Sequence, residues 1–81
     1  MARFYFHLQD GGELIPDPEG TELPDCDTAR REALYSAREL LGNAIKAGKP
    51  KVPEGLVIAD EAGRTLDVVP LSLVLPEPFK K

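Results

Sequence analysis

These 81 residues contain no tryptophan and only one cysteine, one histidine and one methionine, and aromatic residues make up just 6%. The lone Cys26 can close no intrachain disulfide, and a single imidazole beside it cannot complete a Cys/His zinc site. A reducing, cytoplasmic setting fits that cysteine usage. Long apolar runs are missing too. None approaches the roughly 20 residues of a membrane span. The opening stretch MARFYFHLQDGG lacks the longer apolar segment and small-residue cleavage site of a secretory signal.

Between Asp10 and Asp27 there is no Lys or Arg, while Asp10, Glu13, Asp17, Glu19, Glu22, Asp25 and Asp27 are all acidic. With 14 acids against 10 bases the formal charge is -4, which repels phosphate backbones and argues against nucleic acid as a partner. No phosphate-cradling glycine loop, dinucleotide fingerprint or nucleophile elbow occurs. The expectation is a soluble, cytoplasmic chain with no cofactor, no resident metal and no membrane contact.

What is present is patterned. Phe4, Phe6 and Leu8 alternate with Arg3, Tyr5, His7 and Gln9, a period of two that predicts a strand. Asp10-Gly11-Gly12 supplies a tight turn, so Glu13–Asp17 returns as a second strand, held to a sheet edge by Pro16 and Pro18. Asp25 is a good N-cap, and from Cys26 the spacing becomes helical. Ala29, Ala33, Ala37, Leu40, Leu41 and Ala44 fall on one stripe with Leu34 and Ile45 at its margin, and Gly48 with Pro50 ends the helix. Residues 49–55 connect to a third strand, Leu56–Asp60. A turn at Glu61-Ala62-Gly63-Arg64 leads to a fourth, Thr65–Val69.

The prediction is one α+β domain over residues 1–70. It is a two-layer ββαββ fold with an antiparallel sheet in the order 2-1-3-4 and one helix on one face. Residues 71–81 form an apolar tail bounded by prolines. A chain this short buries only roughly 60% of its unfolded surface, so reinforcement by a partner or by the tail is expected.

One helix covers one sheet face. With Phe4, Phe6, Leu8, Leu56, Ile58, Leu66 and Val68 turned to the helix, the other face carries Tyr5, His7, Val57, Ala59 and Val69. Apolar surface of this kind marks self-association, with coverage by the tail and plain exposure as the alternatives. Charge is segregated as well. Residues 28–51 hold Arg30, Arg31, Arg38, Lys46, Lys49 and Lys51 against Glu32 and Glu39, although acids beside a helix start are ordinarily a solvated, dipole-favoured feature.

The strings Arg3-Phe4-Tyr5-Phe6-His7-Leu8 with Asp10-Gly11, Asp17-Pro18-Glu19-Gly20-Thr21-Glu22-Leu23-Pro24-Asp25, and Ala29-Arg30-Arg31-Glu32-Ala33 resemble a small bacterial family, the domain-of-unknown-function 6894 group. Asp60-Glu61-Ala62-Gly63 echoes its second hairpin. The resemblance spans about residues 3–70. It implies a bacterial, non-secreted, stand-alone domain and brings no activity with it. Cys26 stands where that pattern has an apolar residue.

Candidate chemistry is sparse. Cys26 in a first helical turn and His7 invite a thiol–imidazole dyad, but a small apolar role for Cys26 and a structural or interface role for His7 are the simpler readings, so no catalytic residue is assigned. Arg30 lies within the apolar stripe and must bring its guanidinium to the rim. There it is expected to tether Asp17, Glu19 or Glu22, or to form an anion site with the helix start. The acidic loop 17–27 fails the register of a calcium-binding EF-hand because of Pro18 and Thr21. Tyr35, opposite the stripe, should face solvent or a partner. The leading expectation is a non-enzymatic interaction module, a homodimer or a binder of another protein. The alternative is a small-ligand, anion or metal-binding accessory protein using the acidic loop.

Overall fold

The computed structural model describes residues 1–48 and 51–75. The elements are β1 (Ala2–Asp10), β2 (Glu13–Ile15), β3 (Thr21–Leu23), α1 (Cys26–Lys46), β4 (Gly55–Ala59) and β5 (Thr65–Pro70), followed by a 3-10 turn, Leu71–Val74. The sheet is antiparallel in the order β2-β1-β4-β5, with β3 also paired to β1. The α+β, two-layer prediction therefore holds. The sheet differs from expectation by one short strand, and the second strand stops at Ile15 rather than Asp17.

The extra strand has a simple geometric origin. Ile15 lies opposite Leu8, and an unbroken partner strand would place residue 19 opposite Phe4. Thr21 stands there instead. Strands β2 and β3 are thus two pieces of one edge strand with two surplus residues looped out beside Tyr5, Phe6 and His7. Prolines 16 and 18, which have no N–H to give a ladder, lie within the break.

Helix α1 begins as the sequence dictates. Asp25, with an extended backbone, accepts from the Thr28 N–H at 2.8 Å and from the Thr28 hydroxyl at 2.8 Å. It ends where the Gly48 N–H closes on the Ile45 carbonyl at 3.1 Å. Pro50, expected to reinforce this stop, lies outside the described residues. Ala29, Ala33 and Ala37 are fully buried, with Leu41 and Ala44 continuing the stripe and Leu34 and Leu40 packed at its side. Alanines there let the helix axis approach the sheet closely, so Phe4, Leu56, Ile58 and Val69 fill the space between layers. Ile45, placed at the stripe's margin, is exposed instead.

One expectation about the faces is corrected, and one alternative is narrowed. First, Val69 is fully buried against the helix, while Leu66 and Val68 are exposed. The cause is register. Ile58 pairs with Asp67, but Ala59 pairs with Thr65, so a bulge leaves Leu66 unmatched and flips the phase of β5.

Second, the first half of the tail does not cover the free face. Leu71 is buried in the helix–sheet core, with Val74 and Leu75 packed against it. The Leu71 N–H is fixed to the Glu54 carbonyl at 2.9 Å. Residues 71–75 thus pack with the domain, and residues 76–81 of the expected tail lie outside the described residues.

Candidate functional site

With the helix on one side, register places the residues of the other side in rows. Leu14, Gln9, Gly55 and Pro70 form one row. His7, Val57 and Val68 form the next, and Tyr5, Ala59 and Thr65 the third. Four of the five residues assigned to this face, Tyr5, His7, Val57 and Ala59, are here. Val69 is replaced by Val68. Central Val57 and Ala59 are nonetheless buried, while Leu14 is 52% and Val68 50% exposed. None of these ten residues carries a carboxylate, ammonium or guanidinium. The Arg3–Glu22 pair at 3.9 Å follows in the next row of β1 and β3 and bounds the patch at one end.

His7 stands at the β1 end of the middle row, beside the break in the edge strand. Its Nδ1 accepts the Asp17 backbone N–H at 3.0 Å, and its ring stacks beside Tyr5 with centroids 6.3 Å apart. Asp17 in turn substitutes for the missing stretch of edge strand. One carboxylate oxygen accepts the Phe6 N–H of β1 at 3.2 Å, and the other accepts the Glu19 and Gly20 N–H groups, each at 3.2 Å. Burial works to raise the Asp17 carboxyl pKa. The N–H groups of Gly20, Phe6 and Glu19 and the nearby imidazole outweigh it and hold the group below its ordinary value of 3.8. Gly20 closes the loop at φ 70°, where a Cβ would stand 2.9 Å from both Arg3 Cγ and Tyr5 Cε2 and 3.0 Å from the Phe4 carbonyl oxygen.

Arg30 does not tether this loop. Its guanidinium pairs with Asp67 of β5, about 40% of each side chain remaining exposed. The flipped phase of β5 brings Asp67 to the helix side, where it meets the one base on the apolar stripe. The loop is held instead by Arg3, which donates to the Glu19 carbonyl at 2.7 Å and lies beside Glu22. Asp67 and Arg3 were missed in the sequence. The available signal was that Arg30 and Asp67 each interrupt an otherwise apolar pattern, as partners across two layers must.

Asp60 builds the second hairpin as Asp17 builds the loop. It accepts the Ala62 and Arg64 N–H groups, each at 2.9 Å, and the Arg64 Nε–H at 3.0 Å. The Arg64 N–H does most to hold this carboxyl below its ordinary value.

The residues weighed for catalysis are apart in role. Cys26 is exposed at the first position of α1, whereas His7 sits in the sheet with Nδ1 engaged by Asp17. Among the described residues no three His, Cys, Asp or Glu side chains gather to hold a metal ion, and no helix is long and apolar enough to cross a membrane. A cleft of about 220 Å³ lined by Gln9, Glu54, Gly55, Val68 and Pro70 opens on the free face. Another, of about 260 Å³, lies between Leu41, Val52, Leu71 and Leu75. Tyr35 is exposed, as expected.

The family model for the domain of unknown function DUF6894 matches residues 3–72, most of the chain, and the chain belongs to that family. No curated protein and no solved structure matches it.

Proposed function

We propose that this DUF6894 domain works in the cytoplasm as a non-enzymatic interaction module that pairs with a second copy of itself through the free sheet face. One observation carries the reading. In a chain of which 30% is charged, ten neighbouring positions on one face hold no formal charge. In a two-fold interface each patch meets itself, so a patch with net charge repels its own copy. The acidic loop and the basic helix each carry that cost against their own copy, and the face around Val57 does not. Half-exposed Leu14 and Val68 supply apolar area that association would bury.

Light scattering on the full chain tests this. A dimer whose mass does not change with salt, and which Val68→Asp converts to a folded monomer, supports the reading. A monomer at high micromolar concentration refutes it. Loss of the dimer with salt would point to the charged loop and helix. The ligand- or metal-binding alternative has less behind it, because both Asp17 oxygens already accept backbone N–H groups and Arg30 is paired to Asp67. Calorimetric heat with calcium, magnesium or inorganic phosphate would favour it.

A further inference from the structure

We infer that His7 couples the free sheet face to the Pro16–Gly20 loop as a proton-sensitive latch, so that protonating its ring both releases the Asp17 N–H and sets a positive charge on the self-association face where it borders the loop. The coupling rests on the association reading above; the latch rests on geometry alone.

An Nδ1 that accepts the Asp17 N–H has no proton of its own, so the neutral ring carries its hydrogen on Nε2. Protonation adds a hydrogen to Nδ1, turning acceptor into donor, and two donors then face each other at 3.0 Å. The loop must move. The imidazolium's charge acts on the Asp17 carboxylate, whose oxygens are holding the Phe6, Glu19 and Gly20 N–H groups. A response at Nδ1 therefore spreads to the contacts that bind the loop to β1.

The surroundings of the ring decide what the added charge does. From β1 it meets the Tyr5 ring, with Arg3 one row further on beside Glu22. From the loop it meets Asp17. From β4 and β5 it meets Val57 and Val68, which bring no charge. In the free chain an imidazolium is solvated on its open side and has Asp17 near. Between two copies it is taken from water against an uncharged face, an arrangement that costs affinity. The dimer then binds fewer protons than two free chains, so acid favours dissociation.

The experiment follows the full chain from about pH 8 to about pH 5, the interval in which imidazoles change charge. It measures mass by sedimentation, and the Asp17 amide and His7 ring by nuclear magnetic resonance, on the wild type and on His7→Asn, whose amide oxygen can accept at the Nδ1 position. The expected result is a dissociation constant rising about tenfold or more toward acid in the wild type and staying flat in His7→Asn. The Asp17 amide should shift in step with the His7 ring. Equal acid weakening in both proteins overturns the coupling. An Asp17 amide that stays still while the ring titrates overturns the latch. A chain monomeric at every pH removes the dimer and the coupling together, and the amide still reports on the latch independently.

Discussion

Arg30 of the helix and Asp67 of the outermost strand, 37 residues apart, form an ion pair across the two layers. Asp67 uses its other oxygen to accept the Val68 N–H at 2.8 Å, so one carboxylate joins helix, strand phase and strand edge. The pair is about 40% exposed, which keeps its Coulomb contribution small. Asp67→Ala is expected to cost about 1–2 kcal/mol, because two hydrogen bonds go, and Arg30→Ala about 0.5–1 kcal/mol. Urea unfolding of both and of the double variant gives the coupling, expected below about 1 kcal/mol. A larger value would mean the pair is drier than its exposure implies.

Ala33 is fully buried in the core cluster between helix and sheet. Ala33→Leu would force extra methylenes between α1 and the sheet at a cost of about 1–3 kcal/mol. Glu39→Leu, on the exposed side of the same helix, should stay within about 0.5 kcal/mol of wild type. Thermal unfolding of the two separates packing from helix propensity, since both substitutions introduce the same good helix former.

Gly20 and Gly63 both have positive φ, 70° and 84°. Only Gly20 is crowded, with a Cβ position under 3.0 Å from Arg3 and Tyr5 atoms, while Gly63 has open space. Alanine at Gly63 should cost about 1 kcal/mol, the left-handed conformation alone. At Gly20 the same change adds about 1–3 kcal/mol from displaced neighbours. Equal losses at the two sites, measured by urea unfolding, would show that the loop gives way without strain.

Asp17 is ionised more readily in the folded chain than in the unfolded one. A folded value below 3.8 means its contribution is fully present above that pH and fades as pH falls through 3.8 to the folded value. Asp17→Asn, which keeps one oxygen acceptor, should lose about 1 kcal/mol at neutral pH. The gap between variant and wild type should close in acid. A gap independent of pH would assign the loss to geometry rather than charge.

The helix was legible to within a residue because its signals are local: an Asp25 cap, alanines at helical spacing, and Gly48 after the last turn. Strand β3 was not. Thr21-Glu22-Leu23 has no strong alternation and lies between prolines 18 and 24, and only pairing with Ala2–Phe4 makes it extended. The phase of β5 was ambiguous in Thr65-Leu66-Asp67-Val68-Val69. Leu66 and Val68 offer one apolar face, Val69 and Leu71 the other, and a bulge decides between them. The face assigned to Tyr5, His7, Val57 and Ala59 could be read because β1 and β4 pair without irregularity. The His7–Asp17 contact could not, since it depends on how many residues the edge strand loops out.

That looped edge strand also bears on how the sheet meets a foreign strand. A sheet grows into fibrils by lending an open row of N–H and C=O groups to the next chain. On one side the row is broken into two three-residue pieces, with Asp17 plugging the Phe6 N–H between them. On the other, the Val68 N–H is already taken by Asp67, and Pro70 has none to give. Both edges thus offer an incoming strand a shorter row of free N–H groups than an unbroken edge would, which disfavours templated strand addition.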